Sequence, residues 1–242
     1  VPFFDYKAFY TRQSAEFDAV MQDVLRRGAF ILQQDLRDFE AALAAYLGCK
    51  HAVGVANCTD ALIIALRACG VGPGDEVVFP SHTFIASPSS VHWVGAVPVP
   101  VEIGDDGLVD PAAVEAAVTP RTKAVMPVSI NGRSCRFDEI QAVCDRHGLA
   151  MVEDSAQALG SKYKGKFAGT FGKAGTFSFY PAKILGCFGD GGAIVTDDDH
   201  VAEQARLMRD HGRDEASGEV VQWGLNSRLD NLQAAVLHLQ FK

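Results

Sequence analysis

Two segments of this chain carry residue types that could do chemistry. One is Met151-Val152-Glu153-Asp154-Ser155-Ala156-Gln157-Ala158, an apolar strand-like run that ends on acid. The other is Thr176-Phe177-Ser178-Phe179-Tyr180-Pro181-Ala182-Lys183-Ile184-Leu185-Gly186, followed by the glycine-rich return Gly189-Asp190-Gly191-Gly192-Ala193. A lysine at the mouth of an α/β sheet can form an imine if its pKa is depressed. A carboxylate at a neighbouring strand end can hold a protonated pyridine nitrogen. Lys183 and Asp154 are thus the two groups that a pyridoxal phosphate (PLP) site requires, a Schiff-base lysine and an acidic pyridinium partner. Taken singly, Lys183 reads as an exposed loop lysine and Asp154 as a cap. Their joint setting favours the chemistry.

A phosphate site has its own physical case. Ala56-Asn57-Cys58-Thr59-Asp60 joins a strand to an apolar helix expected to start near Ala61. Free N–H groups and the dipole at that start suit a dianion, and Thr59 adds a hydroxyl. Asn57 or Thr59 also reads as an N-cap, which is compatible. Asp60 is assigned to stabilising the helix end, with its side chain turned away.

The elements that must position these residues alternate along the chain. β-Branched runs stand at Ala52–Val55, Glu76–Phe79, Val97–Ile103, Ala124–Val128, Met151–Glu153, Thr176–Phe179 and Ala193–Thr196. Helical spacing links Leu36, Phe39, Leu43 and Leu47; Leu62, Ile63, Leu66 and Cys69; Phe137, Ile140, Val143 and Cys144; and Val201, Ala205 and Met208. His147-Gly148 is a helix stop, Gly72-Pro73-Gly74-Asp75 a turn, and Asp197-Asp198-Asp199 a capping and dipole feature. The alternation predicts an α/β fold with a mostly parallel seven-stranded sheet flanked by helices. Its ligands belong at the C-terminal edge of the strands. Residues 1–30 read as an N-terminal arm or helix, and 31–242 as the large domain.

Composition removes other classes. With 48% hydrophobic and 21% charged residues, the chain can build a sizeable core. A net charge of −8 without a basic cluster speaks against binding nucleic acid through a basic face. No apolar run reaches the ~18 residues of a membrane span, and Val1-Pro2-Phe3-Phe4-Asp5 lacks the pattern of a secretory signal. Cys49, Cys58, Cys69, Cys135, Cys144 and Cys187 lack CxxC spacing and read as reduced, mostly buried thiols of a cytoplasmic protein. The seven histidines show no paired metal spacing, so no metal is expected. His82 reads either as a substrate contact or as a packed or solvated ring.

The ordered motifs resemble the DegT/DnrJ/EryC1/StrS family of PLP-dependent nucleotide-sugar aminotransferases, of fold type I. The likeness runs from Phe30 onward. It rests on Asp154-Ser155-Ala156-Gln157, Ser178 to Lys183 and Gly189 to Ala193, with Asn57-Cys58-Thr59-Asp60-Ala61-Leu62, Pro80-Ser81-His82-Thr83-Phe84-Ile85-Ala86 and Asn226-Ser227-Arg228-Leu229-Asp230. The resemblance implies that Lys183 forms the internal aldimine and moves the substrate proton, and that Asp154 pairs with the pyridinium. It further implies Gln157 on the ring hydroxyl, Phe84 stacked on the ring, and Cys58, Thr59 and Ser178 around the phosphate. Phe177 and Phe179 would then face away from the cofactor. Asn226 would reach the phosphate of a neighbouring subunit in a homodimer with shared sites, with Arg228 nearby. The implied reaction moves an amino group from a donor, L-glutamate by family habit, onto a keto-sugar nucleotide through pyridoxamine phosphate.

This chain departs from the family pattern in four ways. Cys58 stands where glycine is usual, Ile184 where asparagine follows the lysine, and Ser129-Ile130-Asn131-Gly132 where His-Leu-Tyr-Gly or Ser-Leu-Tyr-Gly is common. The family also adds a smaller C-terminal α/β domain. The 242 residues stop at Phe241-Lys242, inside a stretch of helical character marked by Leu232, Val236 and Leu239. The expectation is a large domain without its companion, able to bind cofactor while turnover depends on further sequence. Related sugar dehydratases replace the lysine with histidine, so Lys183 disfavours that alternative. The intact Asp154, Gln157, Ser178 and Lys183 set disfavours a non-catalytic regulatory role.

Overall fold

Each β-branched run of the sequence becomes a strand of one sheet, and the periodic stretches between them become helices that cover it. The computed structural model describes residues 4–241. Helices α1 (Tyr6–Thr11), α2 (Ser14–Arg27) and α3 (Gln34–Leu47) come first. Then follow β1 (His51–Val55), α4 (Cys58–Ala68), β2 (Glu76–Pro80), α5 (Ala86–Trp93), β3 (Val97–Val101), α6 (Pro111–Ala117) and β4 (Thr122–Val125). Next are α7 (Phe137–His147), β5 (Ala150–Asp154), the short hairpin β6 (Lys162–Tyr163) and β7 (Lys166–Phe167), and β8 (Ala174–Ser178). The order closes with β9 (Gly192–Thr196), α8 (Asp199–Arg209) and α9 (Asn231–Gln240).

The seven-stranded sheet has the order β1-β9-β8-β5-β4-β2-β3. Strand β9 runs antiparallel to both β1 and β8, and the other pairings are parallel. Neighbouring residues of the central strands enter different cores. Val77, Val152 and Ile194 pack with α4, α5 and α8, whereas Val78 and Met151 pack with α6 and α7. Phe177, Phe179 and Val195 pack with α3 and α9. Burial on both faces is why these strands read as continuous apolar runs.

Local signals set most helix limits. Leu36, Phe39, Leu43 and Leu47 are the buried residues of α3, and Phe137, Ile140, Val143 and Cys144 those of α7. Gly148 ends α7 in the left-handed region, at φ 65°. Asp198 caps α8 by accepting from the His200 and Val201 N–H groups. One expectation needs correction. Helix α4 starts at Cys58, not near Ala61, because the Asn57 side chain accepts the Asp60 N–H at 2.8 Å. The helical character marked by Leu232, Val236 and Leu239 becomes α9. The helix lies between α2 and α3 and buries Asn231, Ala234, Ala235, Val236 and Leu237, since small residues allow the close approach.

Candidate active site

The sheet brings its chemistry to the C-terminal edge of β5 and β8. These strands pair in parallel with Asp154 opposite Thr176, so Ser178 and the loop carrying Lys183 leave the sheet beside Asp154. From the other side, Ser129 N–H donates to the Asp154 carbonyl at 3.0 Å, and Asp154 N–H donates to Pro127. Helix α5 supplies a residue that the sequence did not single out. The fully buried Ser87 donates its hydroxyl to the Asp154 carboxylate at 2.7 Å. The Ala156 N–H donates to the other carboxylate oxygen at 3.2 Å. The Thr83 hydroxyl lies 2.6 Å from that of Ser87. Thr83 and Ser87 stand four apart across the start of a helix, a spacing that could have flagged them.

Burial pushes the Asp154 carboxyl above its ordinary pKa, while Ser87, the Ala156 N–H and the Lys183 charge pull it down. A buried carboxylate with two donors and an open side favours a cation there. The open side is a cavity of about 460 Å³, within the range of small-ligand sites. Its lining includes Cys58, Thr59, Phe84, Asp154, Gln157, Ser178 and Lys183.

Each lining group presents a distinct chemistry. At the α4 start, the Cys58 and Thr59 N–H groups have no acceptor among the described residues, as the first turn of a helix dictates. From behind, Gly192 presses on this turn so closely that a Cβ there would stand 2.5 Å from the Asn57 carbonyl carbon. The Cys58 thiol is buried and held far above its ordinary pKa by desolvation, so it stays neutral. Gln157 Oε1 accepts the Asn131 N–H at 2.7 Å, which leaves the amide nitrogen to donate into the cavity. Phe84 is 68% exposed, so it is no core residue. Phe177 and Phe179 are buried away from the cavity, as period two requires. The cavity therefore offers free N–H groups and hydroxyls to an anion and a carboxylate to a cation, and Lys183 stands in the same space.

The chain is similar to known proteins. The DegT/DnrJ/EryC1/StrS aminotransferase family matches residues 11–242. The chain belongs to this family. Among curated relatives, the dTDP-3-amino-3,4,6-trideoxy-alpha-D-glucose transaminase of Streptomyces venezuelae is 50% identical over 99% of this chain. The chain spans 63% of that relative's length. The structure of S. venezuelae DesV in complex with a ketimine intermediate superposes with a TM-score of 0.96 at 50% identity, covering 99% of this chain and 65% of DesV. The structure of ntda from Bacillus subtilis with bound cofactor PMP gives 0.93 at 33% identity, covering 100% of this chain and 55% of ntda.

Some residues fall elsewhere. Asn226 is exposed and lies in a separate groove with Arg228 and Asp190, outside the cavity of its own chain. Arg228 donates to Asp210 at 2.9 Å. His82 is exposed, with a ring nitrogen 3.1 Å from the Gly107 carbonyl. Ile184, beside Lys183, is 77% exposed. Asn131 takes a left-handed conformation, φ 56°.

Proposed function

We propose that this chain is the cofactor-binding part of a PLP-dependent nucleotide-sugar aminotransferase. The observation that carries the reading is the cavity itself, where a buried carboxylate, a lysine and a free helix N-terminus converge. These groups fit pyridoxal phosphate. The Cys58 and Thr59 N–H groups with the Thr59 and Ser178 hydroxyls would hold its phosphate. The Gln157 amide nitrogen would donate to the ring oxygen, and the exposed Phe84 ring would lie on the ring face. When bound, pyridoxal phosphate supplies an aldehyde that takes up an amino group and a ring that accepts electrons.

The protein's own part is to hold charge and move one proton. Asp154, kept in place by Ser87 and Ala156, holds a proton on the ring nitrogen by its charge. The Lys183 amine would take the proton from the substrate carbon that bears nitrogen and deliver it to the carbon on the other side of that nitrogen. Walls such as Leu62 and Val128 limit water in the cavity.

A keto-sugar nucleotide as acceptor is supported by the name of the Streptomyces relative. L-Glutamate is the proposed donor. Wild-type protein should develop a visible absorbance band with pyridoxal phosphate, lose it in Lys183→Ala, and form pyridoxamine phosphate on adding L-glutamate. A wild-type chain that leaves the cofactor spectrum unchanged would sink the reading. A homodimer with shared sites is supported by an unusual surface. Trp93 and the 97% exposed Trp223 line one groove with Ile63, Met208 and Leu225. Asn226 sits nearby in sequence and outside its own cavity. Sedimentation should give twice the chain mass, and a monomer at all concentrations would end the shared-site proposal. Six unpaired thiols suit a reducing compartment, here the cytoplasm. Among the described residues no helix is long and apolar enough to cross a membrane.

A further inference from the structure

The loop that carries Lys183 is tied at its neck and gripped again beside that neck. At the neck, Phe179 N–H donates to the Gly191 carbonyl at 2.8 Å, and Cys187 N–H to the Phe179 carbonyl at 2.9 Å. Within the loop, Lys183 N–H donates to the Tyr180 carbonyl at 2.8 Å. Gly186 packs against Pro181 so closely that a Cβ would stand 2.6 Å from its carbonyl oxygen. The loop is therefore stiff within itself, and its aim depends on what holds it from outside.

Two grips meet at Phe188. Its peptide is held on both sides by the carboxamide of Gln233 in α9, which accepts its N–H at 2.8 Å and donates to its carbonyl at 3.3 Å. Its ring enters an aromatic cluster from the N-terminal helices. Phe17 of α2 meets it edge-on at 4.8 Å between centroids. Phe9 and Tyr10 of α1 meet it edge-on at 5.7 and 6.1 Å. Tyr6 of α1 lines the same junction. Helix α1 buries none of its own residues and is held by this aromatic contact and by the Tyr10 hydroxyl, which donates to Asp18 of α2 at 2.8 Å. A groove of about 440 Å³ lies between α1, α2 and the loop, lined by Phe9, Tyr10, Met21, Pro181 and Phe188. The junction is an edge-to-face clasp rather than a filled core, and such clasps open locally more easily than core strands do.

We propose that Phe188 is a positioning residue for Lys183, and that docking of the N-terminal helices on its ring holds the lysine loop toward Asp154. The proposal rests on the aminotransferase reading for the role of Lys183, but not for the clasp. Phe188 follows the neck residue Cys187 directly, and Lys183 is four residues from that neck, so loss of the grip on Phe188 loosens the neck and leaves a hinged loop whose amine no longer keeps one direction. A change at α1, which touches none of the reacting groups proposed above, would then reach the amine.

Hydrogen exchange on the full chain without cofactor tests the clasp. Phe188→Ala should speed exchange at the Lys183 and Cys187 amides about tenfold while leaving the β9 amides unchanged. Phe9→Ala should give the same pattern more weakly, and Phe188→Tyr should restore the wild-type rates. With pyridoxal phosphate added, Phe188→Ala should move the pH midpoint of the visible band, and Phe188→Tyr should restore it. Unchanged exchange at Lys183 and Cys187 overturns the proposal. Equal acceleration in the loop and in β9 also overturns it, because that is general destabilisation. An altered exchange pattern in a protein that never binds the cofactor would keep the clasp and discard the aminotransferase reading.

Discussion

Glu153 and Asp154 are neighbours on β5, both acidic and both buried, yet they face opposite sides of the sheet and do different things. Glu153 is enclosed. Its carboxylate accepts the N–H groups of Gly169, Phe171 and Gly172 at 2.6–2.7 Å, and so fixes the turn that leads into β8. Burial still pushes its pKa to about 7, against the pull of those three donors. Asp154 has two donors and a cavity shared with Lys183. Burial alone therefore marks neither carboxylate as functional. An unfilled side next to an amine does.

The comparison can be broken by exchanging the two roles. Glu153→Ala should cost about 3 kcal/mol of stability in chemical denaturation, because one buried and two part-buried N–H groups lose their acceptor. Asp154→Ala should cost far less, and an equal loss would make both carboxylates structural. Asp154→Asn should weaken pyridoxal phosphate binding about 100-fold by titration, the scale of truncating one partner of a desolvated charge pair. Its melting temperature should hold or rise, since an unpaired buried charge is gone. Retained affinity in Asp154→Asn would remove the proposed pyridinium contact.

The smallest effect sharpens the enclosed side. A raised carboxyl pKa means that the folded state binds a proton more tightly than the unfolded state. The contribution of Glu153 is thus full below its unfolded value and fades as pH rises through about 7. Wild-type stability should fall between about pH 5 and about pH 8 more steeply than that of Glu153→Gln. Parallel curves for the two proteins would place the titration elsewhere.

The same strand shows how far the sequence could be read. The apolar run ending on acid located the strand end, and in the folded strand period two sends Glu153 and Asp154 to opposite faces. Nothing local said which face was closed, because the closing N–H groups come from residues 169–172. Ser87 escaped notice for a related reason. It meets Asp154 across a separation of 67 residues and carries no motif of its own. Phe188 carries no motif of its own in the sequence, and its partners Phe9 and Phe17 lie in a segment read only as an arm or helix. In α9 the helical character was legible, but the face that approaches α2 and α3 was not, because two alanines, weak hydrophobic signals, are part of it.

The sequence by itself determined the alternation of strands and helices, the helix stops and the residue types of the site. Periodicity, caps and turn glycines act over a few residues, so they are written locally. The tertiary structure decided which carboxylate stays open, where the free N–H groups of α4 point, and that Asn226 lies outside its own chain's cavity. Those outcomes depend on parallel pairing and helix packing between distant segments. Only the folded sheet brings their distances below hydrogen-bond length.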